Sequence, residues 1–240
     1  MKVAVLSDIH GNLEALQAVA EDLVQQGELK VVCLGDLIGY GPDPEEVVNF
    51  VRRKHYEAVL GNHEFALGDA RGRRWLNFLA AENNALAEKA LSPENLRYCT
   101  ELPAALQYAG GYFVHGFPPE SVFRYLHRQS DQKILELFKR KTADIYFLGH
   151  THKLQLVVAD KTVDRMALAE GDLQLDPEKS YIVNCGSVGQ PRDKDSRAKY
   201  IIWDPVTYRL EVHCVVYDKK ETIRKIRQLG LPEAYAMRLR

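Results

Sequence analysis

Long apolar runs are missing from this chain. Uninterrupted stretches such as Val3–Leu6 and Val31–Leu34 are typical, whereas a membrane-crossing helix takes about 20 apolar residues. No bilayer span is therefore expected. At the start, Asp8 and His10 break the apolar stretch too early for a signal peptide. Cysteine is scarce. Cys33, Cys99, Cys185 and Cys214 form no close pair and no CxxC, which excludes a disulfide framework and points to four reduced thiols in a cytoplasmic protein. Charge of one sign is also lacking, with 32 basic and 33 acidic residues and a net charge of −1. That balance, with a pI near 6.7, argues against the broad basic face of a nucleic-acid binder. Glycine-rich phosphate loops are absent too. Gly39-Tyr40-Gly41 runs into Pro42 with no third glycine, and no P-loop is present.

What is present suffices for a self-standing core. A chain of 240 residues exposes roughly 11,000 Å² when folded and buries roughly seven-tenths of its extended surface. No linker, repeat or low-complexity segment interrupts it, so residues 1–240 read as one domain. Charge is uneven: residues 1–120 carry 10 basic and 17 acidic groups, residues 121–240 carry 22 and 16. Much of the basic excess lies in 219–240 and reads as the solvated face of a terminal helix.

The first third alternates strand and helix. VAVLSD and VVCLGD are short buried β runs, and Ala58–Leu60 is a third. Leu13, Leu16, Val19, Ala20, Leu23 and Val24 follow the first run at helical spacing; Val47, Val48 and Val51 mark a second helix opened by Pro-Asp-Pro-Glu at 42–45. This βαβ order implies parallel strands. Residues 70–100 are helical in character, with Trp75 and Leu79 read as core. Tyr112–Val114 and Ile145–Leu148 are strands, with a helix around 130–140 between them. Strands then follow at 154–159, 163–168, 181–184, 199–204 and 209–216, and a last helix over about 219–229 stops at Gly230. The residues alone give an α/β chain whose sheet is parallel at first and mixed later.

The polar residues fall where these strands end. The strand runs terminate in Asp8-Ile9-His10, Asp36, Asn62-His63, His115 and His150-Thr151-His152. Open α/β sheets bind ligands outside the carboxyl ends of their strands. His55, His127 and His213 fall elsewhere and are read as ordinary loop or packing residues. DxH and HxH spacing in an extended segment sends i and i+2 to one side, so each pair can grip one ion. Oxygen and nitrogen ligands without thiolate fit two ions sharing a carboxylate, and suit Mn, Fe or Zn better than Mg or Ca. Two ions about 3.5–4 Å apart are the arrangement for in-line phosphoryl displacement.

These blocks resemble the calcineurin-like metallophosphoesterase superfamily, whose pattern is D-x-H, G-D-x-x-[DG], G-N-H-[DE], a lone His and G-H-x-H. The matching segments are Asp8-Ile9-His10, Gly35-Asp36-Leu37-Ile38-Gly39, Gly61-Asn62-His63-Glu64, His115-Gly116 and Gly149-His150-Thr151-His152. Asn184 to Arg192 is similar to a block of the small bacterial and archaeal branch, with Cys185 where that branch has Pro. The resemblance implies a four-layer α/β/β/α sandwich of two mixed sheets. It implies that Asp8, His10 and His152 hold one divalent transition metal, that Asn62, His115 and His150 hold a second, and that Asp36 bridges them, with Mn the first expectation. His63 would be catalytic, protonating the leaving oxygen or stabilising the transition state as metal-bridging hydroxide attacks phosphorus in line. The implied substrate is a small phosphomonoester or phosphodiester, nucleotides included. Neither membrane nor nucleic acid is expected as a partner, and a homo-oligomer is left open. The alternative is a non-catalytic scaffold of this fold, which would not need the full ligand set with His63.

Other residues carry weaker expectations. Gly186, Ser187 and Gly189 read as a turn, with a place bordering the metal cleft as the alternative. Arg192 reads as ion-paired to Asp193 or Asp195, with contact to a second phosphate as the alternative. Tyr40 reads as ordinary packing. Residues 64–110 and 116–144 are the candidate cap and specificity segments.

Overall fold

The structure, a computed structural model, describes residues 1–140 and 142–240; position 141, in the 116–144 segment, lies outside the described residues. The chain opens with β1 (Lys2–Leu6), α1 (Leu13–Gln25), β2 (Leu29–Cys33), α2 (Pro44–Arg53) and β3 (Glu57–Ala58). A helical run follows: α3 (Asn62–Gly68), α4 (Ala70–Arg73), α5 (Phe78–Ala90) and α6 (Pro93–Thr100). Then come β4 (Ala105–Tyr108), β5 (Gly111–Val114), a short 3₁₀ turn at Leu126–Arg128, α7 (Asp131–Lys139) and β6 (Ile145–Leu148). The remainder comprises β7 (Leu154–Ala159), β8 (Val163–Ala167), β9 (Gly171–Gln174), β10 (Ser180–Cys185), β11 (Ala198–Asp204), β12 (Arg209–Val215), α8 (Lys219–Gln228) and α9 (Glu233–Met237). No helix of the described residues is long and apolar enough to cross a membrane.

Local chemistry accounts for the first units. The Asn12 side chain accepts from the Ala15 amide at 3.1 Å and caps α1. Pro44 opens α2, with Glu45 and Glu46 in its first turn and Arg52 and Arg53 in its last, each complementing the helix dipole.

The strands form two mixed sheets rather than one. The first has the order β3-β2-β1-β11-β12-β9, the second β4-β5-β6-β10-β7-β8. The parallel triplets are β1, β2 and β3 in one sheet and β5, β6 and β10 in the other. The one-sheet reading fails because β11 and β12 return to the first sheet, with β11 antiparallel to β1. Alternation along the strands builds the layers. Val3 and Val5 of β1 face Phe113, Phe147, Val183, Ile201 and Trp203 between the sheets. Ala4 and Leu6 face the other way, onto α1 and α2. On the second sheet Tyr146 and Leu148 turn outward to Ile134 and Leu137 of α7. The result is the α/β/β/α sandwich, with an accessible surface of 11272 Å².

Several sequence expectations are corrected. Trp75 and Leu79 are not core; they are 70% and 43% exposed: Trp75 lies past the end of α4 and stacks on Phe123, at 5.3 Å, and Leu79 sits on the solvent side of α5. Val24 sits on the solvent side of α1. The 64–110 segment is helical only to Thr100 and ends in β4, an edge strand of the second sheet. The basic terminal helix is more than a solvated face: Lys225 bridges Glu14 and Asp43 at 2.9 Å from the latter, while Ile226 packs with Tyr235 and Leu239.

Trp203 lies between the sheets, 5.2 Å from Phe147, paired with the start of β1 and so far from the strands' carboxyl ends. Trp203→Ala is expected to lower stability by about 3–5 kcal/mol. Trp203→Phe should cost far less, since the buried indole N–H has no partner to lose. Denaturant unfolding of both variants checks this, and equal losses would contradict it.

Candidate metal centre

The carboxyl ends of both parallel triplets meet at one edge of the sandwich. The turn after β1 brings Asp8 and His10, the turn after β2 brings Asp36, and the chain after β3 delivers Asn62 and His63 in the first turn of α3. His115 follows β5, and His150 and His152 follow β6. All eight side chains are buried. Potential ligand atoms of Asp8, His10 and His152 lie within 4.8 Å of one another, as do those of Asp36, His115 and His150. Asn62 joins the second group, its Oδ1 3.0 Å from His115 Nε2.

The spacing argument needs correction here. His150 and His152 do not converge on one site; they fall in different groups, as the resemblance implied. The reason is backbone conformation. Asp8, His10, Asp36, His150 and His152 all have positive φ, between 50° and 65°, so the extended-strand rule does not apply to them. His63 also lies within 4.8 Å of His10 and Asp36 atoms, a third grouping the sequence reading did not foresee.

Histidine orientation is set by backbone carbonyls. The Nδ1–H of His10 donates to Ile38 O at 2.9 Å, that of His115 to Leu34 O at 2.7 Å, and that of His152 to Gln190 O at 2.7 Å. Each ring thus turns Nε2 inward, the arrangement by which second partners prepare an imidazole for a metal. In these tautomers His10 Nε2 and His152 Nε2 face each other lone pair to lone pair at 3.2 Å. His115 Nε2 lies 3.2 Å from His150 Nδ1 in the other group, and His150 Nε2 is buried without a partner. Asp36 stands between the groups. Its Oδ1 accepts the His63 amide at 2.9 Å, while Oδ2 faces His10 and His115 at 3.7 and 3.4 Å.

Electrostatics follow the packing. Burial holds His10 and His152 well below the usual histidine range, with Arg192 pressing His152 further, and lowers His150 to about 3. Burial would also lower His115, but Asp36 and Asp8 overcome it and raise this imidazole to about 9. Burial raises Asp8 to about 6, with Asp36 adding to the rise. For Asp36 burial is outweighed by His115 and His63, which keep it well below the carboxylate range. Two carboxylates, an amide and inward-facing imidazoles in a dry pocket call for positive charge. Two divalent ions, one per group with Asp36 between, fit this donor set.

Several supporting residues were not singled out by sequence reasoning. Glu64 accepts the amides of Asp36 at 2.8 Å, Gly61 at 3.0 Å and Ile38 at 3.1 Å, and so ties the Asp36 turn to α3. Its place in the G-N-H-[DE] block was the available signal. Asn84 Oδ1 accepts from His63 Nδ1 at 3.1 Å, and Asn83 accepts the Tyr40 amide. Their only signal was a pair of amides inside an alanine-rich helix. Gly39 has φ +89°, and a Cβ there would sit 2.2 Å from His63 Nδ1.

The remaining expectations also resolve. The Gly186–Gly189 turn braces the centre: Ser187 Oγ donates to Asp8 O at 2.8 Å, the Gly189 amide to the same oxygen at 3.0 Å. Tyr40 walls the centre, 4.6 Å from the His10 ring and 4.8 Å from that of His63. Arg192 pairs with neither neighbouring acid, because Lys199 holds Asp193 and Arg197 holds Asp195.

The description of the calcineurin-like phosphoesterase superfamily domain matches residues 1–207. This chain belongs to that superfamily. Among calcineurin-like relatives in structure, a metallophosphoesterase from Sphaerobacter thermophilus superposes with a TM-score of 0.85 at 33% identity, over 100% of this chain and 98% of that one. A hypothetical protein from Pyrococcus horikoshii OT3 shares the fold, with a TM-score of 0.78 at 22% identity over 99% and 97%. An uncharacterized protein of Methanocaldococcus jannaschii is 34% identical over 99% of this chain and 96% of its own length.

Glu64→Ala would leave three buried amides without their acceptor and free the Asp36 turn. Manganese affinity is expected to fall about 10- to 100-fold, the usual effect of removing a residue that orients ligands. Calorimetric titration of the folded variant checks this; unaltered affinity and stoichiometry would refute the role.

Proposed function

We propose that this protein is a dimetal phosphoesterase that hydrolyses small phosphomonoesters or phosphodiesters, nucleotide-type substrates included. The observation that carries the reading is the pair of 3.2 Å imidazole contacts, one on each side of Asp36, with two lone pairs facing each other at His10 and His152 and the buried His150 Nε2 left without a partner. Burial opposes protonating His10, His150 and His152, so bound metal is the fitting cation. Asp8, His10 and His152 would hold one ion, Asn62, His115 and His150 the other, and Asp36 both. Divalent ions held there supply Lewis-acid charge to phosphate oxygens and lower the pKa of water. Mixed imidazole and carboxylate donors favour Mn, with Fe or Zn as substitutes.

His63 completes the chemistry from the chain's own groups. Asn84 fixes one face of its ring, and Gly39 leaves room for it. With Nδ1–H held by Asn84, the other nitrogen can give a proton to a departing alkoxide from the imidazolium form of the ring. Burial lowers its pKa, while Asp36 and Asn84 pull it back. A scaffold protein of the same fold would have no use for an imidazole oriented in this way. The buried, unpaired Cys33, Cys99 and Cys185 suit a cytoplasmic setting.

Metal analysis of reconstituted protein should find about two ions per chain, and chelation should abolish phosphoester hydrolysis while circular dichroism keeps its folded signature. A stoichiometry that never exceeds one ion, or activity that survives complete chelation, sinks the reading.

His63→Ala should slow hydrolysis of alkyl or nucleoside esters by about 10²–10⁴-fold. Nitrophenyl esters, whose leaving group is already a stable anion, should slow far less, at unchanged metal content. Equal slowing of both ester types would assign His63 to phosphoryl charge rather than to proton donation.

A further inference from the structure

A cleft of about 570 Å³ opens beside the metal centre and belongs to none of the ligand groups. Tyr125, His127 and Arg128 line one side, Thr151, Lys153, Leu154 and Gln155 another, with Ala167 and Arg192 completing it. Its lining touches the residues of the centre at three points. Thr151 lies between His150 and His152. The Tyr125 ring stacks on His150 at 3.9 Å. The Arg192 amide donates to His152 O at 3.1 Å.

The lining is basic and holds no acid. Arg128, Lys153 and Arg192 all face the cleft, and among the described residues none of the three has a carboxylate within ion-pair distance. The two acids nearest Arg192 in sequence are taken by Lys199 and Arg197. Arg192 is held with its guanidinium 5.7 Å from the centroid of Tyr40, its Nη2 3.3 Å from Gln190 Oε1, and its Nε buried without a partner. Arg128 lies over the outer face of Tyr125 at 5.4 Å. The positive field is felt by His127, which burial and then Arg128 and Lys153 hold below the usual histidine range. Leu154, Ala167 and the Tyr125 ring supply an apolar floor between the cations.

We propose that this cleft binds a second phosphate of the substrate. The preferred substrates are then phosphoesters whose scissile phosphorus is joined through a short organic spacer to another phosphate. Arg192 bridges centre and cleft, and Arg128 and Lys153 take the distal group. A phosphate dianion matches the guanidinium fork and the ammonium point charge, while the spacer lies on the apolar floor. A cleft built for a neutral or apolar substituent would not gather three unpaired cations. The proposal rests on the phosphoesterase reading above.

The test uses manganese-loaded protein and two pairs of probes. One pair is the p-nitrophenyl ester of thymidine 5′-phosphate with and without a 3′-phosphate, compared by kcat/KM. The other is thymidine 3′,5′-bisphosphate and thymidine 5′-monophosphate, compared by calorimetric affinity. Wild type should favour the doubly phosphorylated member of each pair by about 10-fold or more, as one charge-assisted contact allows. Arg128 and Lys153 are exposed, so Arg128→Glu with Lys153→Glu should leave the fold intact and bring both ratios to about one. Arg128→Lys with Lys153→Arg should keep them. No preference in wild type, or the same preference in the charge-reversed protein, overturns the assignment. The two readings fail separately. If neither ester is hydrolysed but the calorimetric preference appears and vanishes on charge reversal, the cleft stands and the hydrolytic reading falls. If both esters are hydrolysed equally well, the cleft assignment falls and the hydrolytic reading stands.

Discussion

One oxygen of the Asp36 carboxylate is anchored by the His63 amide; the other faces His10 on one side and His115 on the other. That placement constrains the whole sheet edge. The anion draws His115 above its ordinary range and opposes the downward push of burial on His10 and His63. Its own turn is fixed from behind by Glu64, which reaches across from α3. The helix that presents Asn62 and His63 is thereby locked to the strand that presents Asp36. Positions of the two histidine groups relative to each other follow from this single buried carboxylate and its anchors.

Holding so many donors together requires unusual backbone. Asp8, His10, Asp36, Tyr40, His150 and His152 take positive φ, a region that costs non-glycine residues of the order of 1–3 kcal/mol each. The neighbouring turns hold them there. The His10 amide donates to Asp36 O at 2.8 Å, the Gly11 amide to Leu37 O at 2.8 Å, and the Gly41 amide to His10 O at 2.9 Å. Asn12 secures the Gly189 carbonyl at 2.9 Å, and a Cβ on Gly189 would run into Ile9 O. Strain at the edge is thus balanced by a rim of loop-to-loop hydrogen bonds rather than by the strands themselves.

The sequence made the strands legible through their short apolar runs, and made the clustered candidate ligands legible because each run stops at a polar group. It misled wherever local spacing stood in for geometry. HxH spacing suggested a shared ion, yet left-handed φ at His150 and His152 sends the rings to opposite groups. Neighbouring acids suggested a paired Arg192, but Arg197 and Lys199 fold back onto them first. Trp75 has the composition of a core residue and ends on the surface because its helix has already ended. Glu64 and Asn84 act through contacts 21 to 28 positions away in the chain, and beyond Glu64's place in the G-N-H-[DE] block no strong pattern along the sequence marks them. Partition into two sheets was hidden from strand periodicity, since β11 reaches β1 only after the second sheet is complete, and was legible through the motif resemblance, whose implied sandwich of two mixed sheets is the one observed.

The two sheets supply the centre jointly. Asp8 and His10 come from the first and His152 from the second, with Asp8 Oδ1 3.3 Å from His152 Nε2. The group therefore spans the seam of the sandwich. A cation held there would rivet two layers otherwise held by the apolar packing of residues such as Phe147 and Trp203. Small slippage of one sheet over the other would be registered first as a change in the distance from Asp8 to His152, which makes the centre a gauge of how well the sandwich is aligned.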